Sequence, residues 1–229
     1  MHSPRAILAL DATTSVCSVA WTDGARWVER VEEAGQRHSE LILAMVDATL
    51  AEARCALRDM AEIAFGAGPG SFTGLRIACG VAQGLAFGAQ KPVRAVSSLL
   101  ALAQASGRNA VLVALDARMS EVYWAAYRRD GDCGRWQEIV SPQVSSPSAV
   151  SPPQGSDWIA VGDGFAAYPA LAARIGSTMP IDPDVRVTAR AIGELALIEE
   201  GSLGDAAAAM PHYIRDKVAL TTAERARAV

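Results

Sequence analysis

Two aspartates close short apolar runs at comparable points of the chain: Asp11 ends AILALD (6–11) and Asp116 ends VLVALD (111–116). Asp11 is followed by Thr13, Thr14 and Ser15. A carboxylate beside clustered hydroxyls and amides has the chemistry to orient a metal-bound phosphate. An Asx-type turn at a strand end uses the same residues with no ligand at all. A working two-lobed nucleotide cleft wants a second acid followed by glycine, yet Asp116 precedes Ala117 and Arg118, a long side chain where phosphate needs bare backbone. Gly162-Asp163-Gly164 falls at a strand-to-helix junction that would rest a nucleoside or simply make a turn. Asp11, Thr13, Thr14, Asp116, Gly162 and Gly164 together define the candidate for a vestigial nucleotide cleft.

The segment GAGPGSFTGLR (66–76) feeds a helix, and free amides at such a junction suit an anion. It lacks the Gly-Lys-Ser/Thr of a P-loop, and Gly66, Gly68, Gly70 and Gly74 do not fit the dinucleotide spacing. The competing reading is structural: Pro69 and Gly70 make a turn and Ser71 or Thr73 caps the helix. The three histidines, His2, His38 and His212, form no ligand pair, since the position four residues beyond His38 is Ile42. That removes the helical zinc motifs. No G-x-S-x-G elbow is present either. His38 therefore reads as a first-turn helix residue. Cysteines 17, 55, 79 and 133 contain no C-x-x-C, so neither zinc nor a redox dithiol is expected, and scattered thiols fit a reducing compartment.

These residues need a scaffold. Strands are expected at 6–11, 18–21, 26–32, 62–66, 93–96 and 158–161, with a hairpin turn at Thr22-Asp23-Gly24. Helices are expected over 38–53, from the glycine-rich segment to about Gly88, over 97–105, and near 164–175 and 188–200. VLVALDARMSEVYWAAYRRDG (111–131) restarts the strand–Asp–hairpin opening of the chain, which points to an internal duplication. SPQVSSPSAVSPPQGSD (141–157) is rich in Ser and Pro and reads as an irregular surface connection.

Two helices have unusual faces. At about 100° per residue, Leu43, Val46, Leu50 and Ala53 share one stripe of the 38–53 helix. Leu41, Ala44, Met45, Ala48 and Ala51 fall nearly opposite. A helix on one core needs a single stripe, so either this helix is buried on all sides or one face is held for another chain. The following helix carries Gly80, Gly84 and Gly88 on one stripe, each costing ~1 kcal/mol against Ala. That expense implies something packed close to the backbone: its own sheet, the neighbouring helix or a second chain. Only Arg76 and Gln83 are strongly polar, so the helix reads as mostly buried.

Hydrophobic residues at 51% and charged residues at 20% exclude a disordered, collagen-like or coiled-coil chain. Too few apolar residues precede Asp11 for a secretory segment, so a cytoplasmic location without membrane attachment is expected. A net charge of −4 argues against gripping nucleic acid unaided. Arg108, Arg118, Arg128, Arg129 and Arg135 would make either a basic patch or a solvated face.

The strings ILALDATTSVCSVAW, RHSELILAMVDATL, AFGAGPGSFTGLRIACGVAQGLA, VLVALDARMSEVYWAAY and PHYIRDKVA resemble the bacterial TsaB (YeaZ) family from about residue 6 to 220. The resemblance implies an α/β, two-lobed, actin-like ATPase (ASKHA, ribonuclease H-like) fold of mixed sheets and helices with a degenerate nucleotide cleft. Residues 1–104 would form the first lobe and 105–229 a second, smaller lobe with a C-terminal tail. It implies a non-catalytic paralogue of TsaD, the subunit that installs threonylcarbamoyl on the adenosine beside the anticodon of ANN-reading tRNAs. TsaD-type proteins carry an HxxxH metal pair, absent here at His38 and Ile42, so no metal, no cofactor and no peptidase activity are expected. Partners implied are TsaD in a heterodimer, TsaE in a larger assembly, a second copy of the chain when alone, and tRNA only through the complex. The partner interface is assigned to Leu41, Ala44, Met45, Ala48, Ala51, Arg76, Gly80, Gln83 and Gly84. A competing reading, an ATP-dependent enzyme of the same fold, rests on Asp11 and Gly162-Asp163-Gly164.

Overall fold

The computed structural model describes residues 5–131, 134–198 and 203–215. His2, Cys133 and the end of the PHYIRDKVA string lie outside them. The first half runs β1 (Ile7–Asp11), β2 (Val16–Thr22), β3 (Trp27–Glu33), α1 (His38–Ala53), β4 (Glu62–Gly68), α2 (Phe72–Ala89), β5 (Val93–Ser97) and α3 (Ser98–Ala105). The second runs β6 (Ala110–Asp116), β7 (Val122–Arg129), β8 (Trp136–Ser145), β9 (Ile159–Val161), α4 (Gly164–Ala167), α5 (Pro169–Gly176), β10 (Ile181–Asp182) and α6 (Ala189–Ile198).

The two sheets share one plan. The first is ordered β3-β2-β1-β4-β5 and the second β8-β7-β6-β9-β10. In each, the first three strands form an antiparallel meander, and the central strand then pairs in parallel with the next. Asp11 pairs with Ser18 and Asp116 with Val122, so both acids end the central strand of their sheet. The repeated strand–Asp–hairpin opening is thus a structural duplication. β1 and β2 are buried along their whole length, as expected of strands covered on both faces.

Three differences from the sequence reading have local causes. β8 runs through Ser145, where an irregular connection was expected; it is an edge strand, and Pro142 falls where the β7–β8 register shifts between Val140 and Gln143. An edge with a bulge tolerates a residue that cannot donate to the ladder. The 164–175 helix is split at Tyr168 by Pro169, which starts α5. β10, only two residues long, is too short to register as a strand pattern.

Apolar side chains collect in three layers. α1 and α2 cover one face of the first sheet through Ile42, Val46, Ala78 and Ala82. Between the sheets, α3 and α6 share a core with both of them, including Ala9, Leu102, Val113 and Ile192. α4 and α5 cover the outer face of the second sheet through Phe165, Leu171 and Ile175. The first backbone amide of α6 donates to Ser18 Oγ of β2 at 2.8 Å, and a Cβ at Gly193 would press on the Trp27 ring. α6 therefore packs on the first sheet although it lies late in the chain. Glu62, which starts β4, is fully buried and paired with Arg94 at 2.8 Å. Among the described residues no helix is long and apolar enough to cross a membrane.

Candidate functional site

The C-terminal ends of β1 and β6 open on a cavity of about 570 Å³ lined by Thr13, Thr14, Ser15, Gly70, Ser71, Asp116, Arg118 and Asp163 among others. Asp11 is absent from that lining. Its carboxylate is fully buried and accepts from Thr13 Oγ1 at 2.8 Å and, at 3.4 Å, from the Thr13 amide. Ser98 Oγ donates in turn to Thr13 Oγ1 at 3.2 Å. Burial pushes the Asp11 carboxyl up to about 7 against these hydrogen bonds. The geometry is that of the local turn.

The glycine-rich segment is shaped by the β1–β2 loop. A Cβ at Gly66 would strike the Asp11 carboxylate, one at Gly70 the Thr13 carbonyl, and one at Gly74 the Ala12 carbonyl. Ser71 caps α2, its hydroxyl accepting from the Gly74 amide at 3.3 Å. The Ser71 amide donates to the Thr13 carbonyl at 2.7 Å. Close backbone approach thus accounts for these glycines without an anion.

On the second side, Asp116 is held from several directions. Its side chain accepts from the Arg118 amide at 2.8 Å and from Tyr168 Oη at 2.9 Å. It also pairs with the Arg118 guanidinium at 3.0 Å. Asp163 accepts from the Asp116 amide at 3.0 Å, and desolvation first, then the neighbouring Asp116 charge, holds its carboxyl above the ordinary range against that hydrogen bond. Gly162 has a φ of +111°, and side chains at Gly162 or Gly164 would run into Ala114. Both glycines answer a close strand contact. The structure brings Thr13, Thr14 and Asp116 to the cavity and keeps Asp11 behind it.

The cavity's remaining wall went unread in the sequence. His212, Tyr213, Ile214 and Arg215 line it, and the PHYIRDKVA string is their one signal. The scattered arginines do not pool: Arg128 pairs with Asp157, Arg118 with Asp116, and Arg129 donates to Gln104.

The second candidate surface is the outward side of α1 and α2. α1 buries Ile42, Met45, Val46, Thr49, Leu50 and Ala53 in one stripe, together with His38 at its start. The two opposed stripes expected from the sequence are corrected accordingly. Met45, assigned to the interface, is a core residue with 4% exposure, whereas Leu43, assigned to the opposite stripe with Val46 and Leu50, is 51% exposed. Ile42 and Thr49 lie between the two expected stripes, and the sheet contacts that middle line. Ala44 and Ala51 face outward, with Leu41 and Ala48 at the border.

α2 is likewise less buried than expected. Gly80, Gly84 and Gly88 are exposed, and among the described residues a Cβ at any of them meets nothing within 4 Å. Of the three packings that would justify them, the chain's own sheet and neighbouring helix are therefore eliminated. Phe87 on the same side is 80% exposed. Arg76 stacks on Phe72, its guanidinium carbon 3.8 Å from the ring centre, and Gln83 Nε2 donates to the Ala209 carbonyl at 2.8 Å.

Two copies of one mixed sheet, joined through α3 and α6 and opening on a shared cleft, define the two-lobed actin-like α/β class. A family model described as TsaD, tRNA N6-adenosine threonylcarbamoyltransferase, matches residues 31–222. The chain is 38% identical over 223 residues to the tRNA threonylcarbamoyladenosine biosynthesis protein TsaB of Escherichia coli (strain K12), covering 93% of this chain and 96% of that protein. It is 43% identical over 173 residues to the TsaB of Haemophilus influenzae, covering 71% and 73%. The structure of YeaZ from Pseudomonas aeruginosa superposes with a TM-score of 0.82 at 38% identity, over 91% of this chain and 99% of that one. The chain belongs to the TsaB (YeaZ) family.

Proposed function

We propose that this chain works in the biosynthesis of threonylcarbamoyladenosine on tRNA as a non-catalytic scaffold and activating subunit. In this reading it binds TsaD through α1 and α2, and TsaD performs the transfer to the adenosine next to the anticodon of ANN-decoding tRNAs. One observation carries the partner reading: three helical glycines lie on an exposed stripe where a Cβ would meet none of the described residues. Without Cβ atoms, that stripe lets a partner helix approach at the short end of the 8–10 Å range of helix packing. Phe87 supplies an aromatic anchor beside it, and Leu41, Ala44, Ala48, Ala51, Arg76 and Gln83 complete the surface. The names of the relatives support the pathway.

The absence of chemistry rests on the acids. Asp11 is buried behind the loop, and Asp116 is already held by Arg118 and Tyr168. The partner-binding helices fall in the lobe taken as 1–104; the second lobe is taken from the remainder, 105–229, out of which α6 and the segment 203–213 return to pack on the first sheet and α2. TsaE joins the larger assembly, tRNA is met only through the complex, and the same surface pairs with a second copy when TsaD is missing. The test is to mix the chain with its TsaD paralogue, measure mass by light scattering, and follow threonylcarbamoyl transfer with and without the chain. A stable heterodimer and transfer that depends on the chain are expected. No complex and unaffected transfer would overturn the reading.

A further inference from the structure

The segment 203–215 runs along the first lobe and then crosses to the second. Gly204 pairs with Val93 through two backbone hydrogen bonds, 2.9 and 3.0 Å long. The Ala209 carbonyl then accepts from Gln83 Nε2 at 2.8 Å and from Cys79 Sγ at 3.4 Å. The His212 amide donates to the Ala67 carbonyl at 2.7 Å. Tyr213 packs its ring on Phe72 with centroids 6.0 Å apart and accepts from Arg76 Nε at 3.4 Å. Two residues later Arg215 binds the second lobe, donating to the Ala117 carbonyl at 3.0 Å, pairing with Glu121, and lying over the Tyr123 ring. Residues 212–215 line the interlobe cavity, so the segment ties α2 to the β6–β7 turn across the cleft.

We propose that residues 209–215 form a clasp whose closure is coupled to occupancy of the outward face of α2. The inference rests on the reading of α2 as a partner surface. Gln83 and Arg76 belong to that face, and each spends a donor on the clasp. In the free chain, water serves those donors whenever the clasp opens. A partner covering α2 excludes that water, and an open clasp would then strand donors beneath the interface. A buried donor without an acceptor is more expensive than a hydrogen bond is favourable. Partner binding therefore favours the closed clasp, and by reciprocity a closed clasp favours partner binding by the same factor. Arg215 and Glu121 close the clasp from the far side of the cleft, off the α2 face.

The experiment titrates the wild-type chain, Arg215→Ala and Glu121→Gln with the transferase paralogue, and follows amide hydrogen exchange over 209–215. Both substitutions should weaken the complex by about tenfold, the usual scale of allosteric coupling. Exchanging the charges, Arg215→Glu with Glu121→Arg, should recover part of the loss, the part carried by the ion pair, because a carboxylate at 215 cannot donate to the Ala117 carbonyl. In the wild-type chain, exchange over 209–215 should slow on complex formation. Glu121→Gln carries the test if Arg215→Ala fails to fold. Unchanged affinity in folded variants, or exchange over 209–215 that the partner leaves unaltered or speeds, overturns the coupling while leaving the proposed function standing. A wild-type chain that forms no complex overturns both.

Discussion

Asp11 and Asp116 end the central strands of two sheets with the same strand order, and the chain neutralises them in opposite ways. Asp11 is sealed between strands, with Thr13 and the side-chain-free Gly66 against its carboxylate. Asp116 remains at the cavity wall and is bound by Arg118 and Tyr168. Duplicated scaffolds place like residues in like positions; the neighbours then decide whether either acid can hold a ligand.

Ala44→Glu and Ala48→Glu should abolish the complex with TsaD and leave the chain folded. Ala44 faces outward and Ala48 sits at the border of the buried stripe, and surface changes away from special features usually stay within about 0.5 kcal/mol. Met45→Glu, one residue from Ala44, should instead unfold the chain, because it buries a charge in the α1 core. Thermal melts and light scattering separate the two behaviours. Unfolding of Ala44→Glu would place that face in the core.

Gly84→Ala should raise the stability of the free chain by up to ~1 kcal/mol, since helix propensity improves and the new methyl meets none of the described residues within 4 Å. Gly84→Leu should fold as well and lose partner binding, because its side chain fills the groove a partner helix needs. Denaturant melts of the free chain and titration with TsaD check the opposite signs. A destabilised Gly84→Ala would mean that the glycine serves the monomer.

Asp11 makes the stability of the chain depend on pH. Its carboxyl is raised from 3.8 to about 7 by burial, so the folded state holds a proton that the unfolded state releases. That contribution is complete below about pH 3.8, weakens as pH rises, and is gone above about 7. The difference between wild type and Asp11→Asn should therefore shift against the wild type from pH 4 to 7 and level off beyond. Denaturant melts across that range measure it, and a difference independent of pH would show that Asp11 is ionised in the fold.

Millimolar Mg-ATP should leave the melting temperature of the isolated chain unchanged. A site saturated a hundredfold above its Kd would add about 2.7 kcal/mol, readily seen in a thermal shift. Such a shift would return the ATP-dependent reading to the front.

Periodicity alone located most helices and strands, because apolar spacing reports the face an element turns to a core. The restart at VLVALD exposed the duplication for the same reason. The pattern on α1 was nevertheless resolved into the wrong stripes: Met45 and Val46 are adjacent in sequence and both buried, and the sheet contacts the line between them. The glycines of 66–76 show the same limit. Sequence offers a possible anion loop, whereas the Thr13 and Ala12 carbonyls that require Gly70 and Gly74 arrive from another strand end.

By itself the sequence determined the fold class, the doubled sheet and the family, since these follow from local spacing and from strings of adjacent residues. Only the tertiary structure decided that Gly80, Gly84 and Gly88 face away from the described residues around them, that Asp11 stands behind the cleft, and that Ala209 and Arg215 link α2 to the second lobe. Those facts depend on what approaches a residue from far along the chain, and burial and hydrogen bonding arise from that approach.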